Sequence, residues 1–122
     1  MPKLILYFFA FILIVSGIGH LFYPKISDGF IPEFFLPRNV VQILAFVVEL
    51  AIGVGLLIPA LRGYAAWGVL VLMIGFLPLH VIDAFRATPI IGSPTAAVVR
   101  LVVQLLFIYL AWRLVQWFPV VG

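Results

Sequence analysis

The sequence predicts an all-α protein, a transmembrane four-helix bundle, and three observations lead to this prediction. Of the 122 residues, 66% are hydrophobic and 9% are charged, whereas soluble domains have roughly 45–50% and about 25%. Four apolar stretches are each long enough to cross the hydrocarbon layer, which takes about 20 helical residues. Proline and glycine residues separate these stretches. We therefore expect a single membrane domain over residues 1–122, surrounded by the lipid bilayer.

Each predicted span is bounded by turn-forming residues. The first loop contains three prolines, and the second connection is only residues 59–63, which predicts a tight antiparallel hairpin. The third loop, residues 87–95, contains two prolines and a glycine. An even number of spans puts both termini on one side of the membrane and the first and third loops on the other, here called the loop-one side. The spans are predicted at about residues 4–23, 40–61, 64–83 and 97–118.

A weak internal repeat suggests that the spans form two related helical hairpins. The stretch VVQIL begins at Val40 and the stretch VVQLL begins at Val102, while His20 and His80 lie in the first and third spans. Two hairpins in the same orientation would be related by an axis along the membrane normal. Because valine and leucine are so frequent in this chain, a chance match explains the similarity equally well.

The charged residues exclude some functions and leave the orientation open. The net charge is +3, but the seven basic residues are scattered, so no basic stripe exists for a row of phosphates and nucleic acid is not an expected partner. The chain has no cysteine, which excludes disulfides and thiolate metal sites within it. The basic residues divide almost equally between the two sides of the membrane, so the positive-inside rule predicts no orientation.

Seven polar side chains fall within the predicted spans, between the bilayer centre and the loop-one side. Polar residues at such depth are costly, and they mark helix packing or a functional site. Side chains three, four or seven positions apart share one face of a helix. The predicted polar cluster consists of His20 and three same-face pairs: Gln42 with Glu49, His80 with Asp83, and Arg100 with Gln104.

Glu49 lies near the middle of the second span. The small residues Ala45 and Gly53 extend its face of the helix, and small residues allow helices to approach closely, so this face is predicted to be interior. A charged carboxylate alone at the bilayer centre costs on the order of 3 kcal/mol or more. Glu49 is therefore expected to be protonated or paired with a cation. Arg100 is the favoured partner, and either histidine is the second choice.

The plainest interpretation of this cluster is a buried pair that fixes helix register. Histidines near the membrane edge are more commonly interfacial hydrogen-bonding residues than ligands. The sequence has no H-x-x-H or E-x-x-H spacing, so we predict neither a metal site nor catalytic residues. A binding site for a small molecule is the alternative.

Four stretches of the chain resemble the DoxX-like family of small four-helix integral membrane proteins. Residues 17–24, GIGHLFYP, resemble the end of the first helix in that family, and residues 46–57 resemble its acidic second helix. Residues 76–84 are similar to a family pattern that usually has asparagine in place of His80. The arginine and glutamine within residues 100–104 are similar to those of the family's fourth helix. The resemblance implies a four-helix bundle with cytoplasmic termini in a bacterial inner membrane.

This resemblance leads us to expect a multi-pass accessory or assembly subunit of a larger membrane complex, or a homo-oligomer, without a catalytic role of its own. The alternative is a quinone-binding component of an oxidoreductase. In that case His20, Glu49 or His80 would bind the ring carbonyls, and Glu49 or Asp83 would pass the proton. A small proton or solute carrier is the third possibility, although four short helices would have to oligomerise for transport. No cofactor other than a quinone is expected.

Overall fold

The computed structural model describes residues 2–26, 37–85 and 92–120. The helices are α1, Pro2–Phe22; α2, Arg38–Leu57; α3, Arg62–Ala84; and α4, Pro94–Trp117. All four are long and apolar enough to cross a membrane. The described ranges contain no β-strand, which confirms the all-α class. The predicted first and third loops lie largely outside the described residues.

Every helix end lies within four residues of its predicted position, and the two largest differences, at the end of α2 and the start of α4, are explained by proline. α2 ends earlier than predicted because Pro59 disfavours helical backbone at the residue before it, and Ile58 is extended at φ −99° and ψ 112°. α4 begins earlier than predicted, at Pro94, inside the expected third loop. Proline suits the first helical position, and the Ser93 hydroxyl accepts a hydrogen bond of 3.1 Å from a backbone N–H of the first turn.

The helices pack as two hairpins, α1 mainly against α2 and α3 mainly against α4, with weaker contact between α2 and α3. Glycine allows the close approach in the first hairpin. A Cβ atom at Gly17 would lie 3.2 Å from the backbone nitrogen of Leu50, and a Cβ atom at Gly53 would lie 3.2 Å from the carbonyl oxygen of Ala10. Larger side chains at either position would push α1 and α2 apart.

The buried apolar core occupies the half of the bundle nearer the termini. Its fully buried members are Leu6, Phe9, Leu13, Leu56, Ala66, Val69, Ala111 and Leu114. Large apolar side chains also cover the outside, and Phe11 and Phe22 are each about two-thirds exposed, at 67% and 68%. An apolar exterior of this kind suits lipid surroundings. The polar residues of the predicted cluster lie outside this core, toward the loop-one side.

Candidate functional site

A cavity of about 610 Å³ lies in the loop-one half of the bundle, and all four helices contribute to its lining. This volume is within the range of roughly 300–1,000 Å³ that is typical of small-molecule sites. Four of the seven predicted cluster residues line the cavity: His20, Glu49, His80 and Arg100. The other described residues that line it are Val15, Ser16, Ile18, Gly19, Tyr23, Phe76 and Leu79. The site thus combines largely apolar walls with a few polar groups.

Gln42 and Glu49 hold the ring of His20 from two sides. Nδ1 of His20 lies 2.5 Å from Oε1 of Gln42, and Nε2 lies 2.8 Å from Oε2 of Glu49. The two α2 residues are two helical turns apart and project from one face. Both are nearly inaccessible, at 3% and 1% exposure. The prediction that this face of α2 is interior is confirmed.

The amide of Gln42 determines where His20 carries a proton. Its Nε2 donates a hydrogen bond of 2.8 Å to the carbonyl oxygen of Pro24, which can only accept. Oε1 of Gln42 therefore faces the histidine, and Nδ1 of His20 must be protonated to donate to it. The contact between His20 Nε2 and Glu49 Oε2 needs one more proton, held by the imidazole or by the carboxyl group. In both arrangements the pair carries no net charge, which suits a buried site.

Arg100 is not the partner of Glu49, so the favoured pairing was wrong and the second choice, His20, is correct. Within the described residues no ion pair joins Arg100 to a carboxylate, and its Nη1 is buried without a hydrogen-bond partner. The guanidinium lies over the ring of Phe107, 5.6 Å from the centroid, in a cation–π contact. α1 and α2 lie close together at the level of this pair, since a Cβ added at Gly17 would lie 3.5 Å from the Cβ of Glu49.

Asp83 and Gln104 are buried, at 2% and 0% exposure, but they are not among the residues that line the cavity. Nε2 of Gln104 donates a hydrogen bond of 2.6 Å to the carbonyl oxygen of Met73, which links α4 to α3. Its Oε1 is buried and has no hydrogen-bond partner in the described part of the chain. The predicted polar cluster is therefore divided between the cavity and the packing of the helices around it.

The sequence analysis missed the apolar walls and the carbonyl oxygen of Pro24. Helical spacing could have identified part of the α1 wall, since Ser16 and Tyr23 lie one turn on either side of His20. No sequence pattern predicts the role of the Pro24 carbonyl group. Every residue has a carbonyl group, and only the fold shows which one accepts a hydrogen bond from Gln42.

Metal-ligand side chains are not brought together in the part of the chain that the structure describes. Across residues 2–26, 37–85 and 92–120, no three His, Cys, Asp or Glu side chains are grouped so that they could hold a metal ion.

One protein family matches most of the chain. The sequence model of that family, described as a domain of unknown function (DUF8561), matches residues 9–115. This range includes the whole predicted polar cluster and every residue that lines the cavity. No curated protein and no solved structure gives a significant match.

Proposed function

The chain belongs to the DUF8561 family, whose description assigns no activity, and we propose from the site itself that it binds a lipophilic small molecule with a polar head group inside the membrane. The bound molecule would enter the cavity in the loop-one half, with its apolar part against the walls and its head group at the polar end. This is a binding role without covalent chemistry.

The single observation that supports this proposal is the cavity of about 610 Å³ whose lining combines apolar walls with His20, Glu49, His80 and Arg100. A purely structural polar cluster would be expected to pack without such a space, because protein interiors are nearly as dense as organic crystals. Ligand sites in proteins have this combination of apolar walls and a few polar groups that orient the ligand.

The sequence analysis gave a quinone-binding component as the alternative function. The structure changes which residues would bind a quinone. Both ring nitrogens of His20 are engaged, one by Gln42 and one by Glu49. The imidazole is therefore not available for a quinone carbonyl. Arg100 also lines the cavity, and its Nη1 has no hydrogen-bond partner among the described residues, so its guanidinium is the donor that we propose for a ligand head group.

Filling the cavity with a side chain tests the proposal. Gly19 lines the cavity, and a Cβ added there meets no atom within 4 Å, so Gly19→Phe should occupy the ligand space without a clash at its base. Gly75 in α3 is equally open but does not line the cavity, which makes Gly75→Phe the matched control. We expect mass spectrometry of protein purified in mild detergent to find a lipophilic molecule with the wild type and Gly75→Phe, and not with Gly19→Phe.

Two results would contradict the proposal. One is a wild-type protein that carries no molecule above the level of bulk lipid. The other is a molecule retained equally by Gly19→Phe.

We also propose, from the resemblance to DoxX-like proteins, that the chain serves a larger membrane complex as an accessory or assembly subunit in a bacterial inner membrane. Both termini would then lie in the cytoplasm. The same native purification tests the first part, since a stoichiometric protein partner is expected. Reporter fusions at each terminus test the second part, and an external position for either one would exclude it.

A further inference from the structure

Arg100 lines the cavity, and no carboxylate among the described residues forms an ion pair with it. Its Nη1 is buried and makes no hydrogen bond within the described part of the chain, and the guanidinium carbon lies 5.6 Å from the centroid of the Phe107 ring. A guanidinium has five N–H donors and cannot be deprotonated in proteins. A buried donor without an acceptor is unfavourable. An acceptor brought by a ligand would remove this cost.

The acid of the cavity does not balance this charge. Glu49 contacts His20 at 2.8 Å, and that pair has no net charge in either proton arrangement. Asp83, the other described carboxylate, is buried in the last turn of α3 and does not line the cavity. Among the described residues that line the cavity, the guanidinium of Arg100 is therefore a positive charge without an ion-pair partner.

We propose that the ligand is a single-chain amphiphile with a carboxylate head group, and that Arg100 is the residue that binds this head group. This inference rests on the proposed function and names its ligand class. A carboxylate supplies one negative charge, equal to the charge to be balanced, and its two oxygens match the fork of a guanidinium. A neutral quinone ring would leave the charge unbalanced, and a phosphate monoester would bring about 1.5 to 2 negative charges.

The walls of the cavity suit the chain of such an amphiphile. Val15 and Ile18 of α1 and Phe76 and Leu79 of α3 all line the cavity. Apolar contact with these side chains replaces contact with lipid at little cost. The head group and the chain would thus be recognised by different parts of one cavity.

The experiment uses the full chain in nanodiscs with spin-labelled stearic acid and its methyl ester. The two probes share one chain and differ in the charge of the head group. We expect the wild type to immobilise the acid more strongly than the ester, as measured by electron paramagnetic resonance. Arg100→Gln should weaken association of the acid by about tenfold or more and leave the ester unchanged. Arg100→Lys keeps the charge without the fork and should retain part of the preference.

Two further variants distinguish failure of the carboxylate assignment from failure of the cavity as a binding site. Arg113→Gln removes a cation of α4 outside the cavity and should change neither probe, whereas Gly19→Phe should displace both. Equal association of acid and ester with the wild type, or an acid preference that survives Arg100→Gln, overturns the carboxylate assignment. If Gly19→Phe displaces neither probe, the cavity is not a binding site and the proposed function fails as well. The comparison of acid with ester in the wild type needs no variant, so a poorly folded Arg100→Gln protein does not prevent the test.

Discussion

Nε2 of His20 lies 2.8 Å from Oε2 of Glu49, although the two residues belong to different levels of their helices. His20 is in the last turn of α1, whereas Glu49 is past the middle of α2. Side chains in a helix tilt toward its N-terminus, and for α2 that direction leads toward the loop-one side. The carboxyl group therefore approaches the histidine, and the pair joins the two helices of the first hairpin.

We expect strong energetic coupling within this pair. Glu49→Leu and His20→Leu should each lower the thermal stability of the purified protein, because each leaves the partner polar and buried without its contact. The double variant should recover part of the loss, since two apolar side chains then pack together. A double-mutant cycle on the thermal midpoint should give a coupling free energy on the order of 1 kcal/mol or more. Purely additive effects would show that the contact does not stabilise the fold.

Glu49→Gln should be milder than Glu49→Leu. The glutamine amide can donate a hydrogen bond to Nε2 of a neutral His20, whose Nδ1 proton is still held by Gln42. The same thermal measurement checks this order. A Glu49→Gln protein as unstable as Glu49→Leu would indicate that the negative charge itself is required.

The protonation of His20 can be observed directly. Because Gln42 presents its oxygen to the ring, Nδ1 should remain protonated in the wild type and in Glu49→Gln, as read from nitrogen-15 chemical shifts of histidine-labelled protein. Only two histidines are present, and His80→Asn assigns the signals. Gln42→Leu removes the acceptor and should allow the other tautomer. A wild-type spectrum with Nδ1 unprotonated would contradict the assigned orientation of the amide.

The fold follows from the sequence because its main determinants are local. Four apolar segments, each long enough to span a membrane, determine the number of helices, and this length does not depend on how the helices pack. The largest errors occurred at helix ends, because a proline can either end a helix or begin one. Pro59 follows the end of α2, whereas Pro94 is the first residue of α4. Composition alone does not distinguish these two positions, because proline is also common in loops.

The membership of the candidate site was partly predictable, and its pairing was not. Depth and residue type identified His20, Glu49, His80 and Arg100, which all line the cavity. The choice between Arg100 and His20 as partner of Glu49 depends on the distance between α1 and α2, which is short at Gly17. That distance depends on helix packing, which the pattern of residues along the sequence does not predict. The cavity has the same origin, since empty space depends on the relative rotation of the helices.

Two buried glutamines should respond differently to replacement by methionine. Gln104 donates to the Met73 carbonyl, and its Oε1 has no described partner. Gln104→Met therefore removes an unsatisfied oxygen, and the Met73 carbonyl remains within a helix. We expect its thermal stability to be unchanged or higher, because replacing such a group by an apolar one of similar shape is nearly neutral.

Gln42→Met should lower the thermal stability, by about 1–3 kcal/mol in free energy of unfolding. It leaves Nδ1 of His20 without its acceptor and the Pro24 carbonyl without its donor. The two variants are matched, since each replaces one buried glutamine by the same side chain. Equal losses for both would mean that the network around His20 contributes no more than the link between α3 and α4.

The glycines of α1 and α3 test whether close helix approach positions the pair. A methyl group at Gly17 would lie 3.2 Å from the Leu50 backbone nitrogen and 3.3 Å from the Phe46 oxygen, so the two helices must separate slightly. Gly17→Ala should therefore cost about 1–3 kcal/mol, as overpacking does. Gly75→Ala meets no atom within 4 Å and should be neutral or stabilising, because alanine favours the helix.

The decisive comparison uses the nitrogen-15 signals of His20 in these two alanine variants. If Gly17 sets the distance at which His20 meets Glu49, Gly17→Ala should shift the Nε2 signal and Gly75→Ala should leave it in place. A Gly17→Ala protein that loses stability but keeps the Nε2 signal would show that the pair forms independently of the helix separation. The contact between the two residues would then be strong enough to hold α1 and α2 together, and the glycine would only permit it.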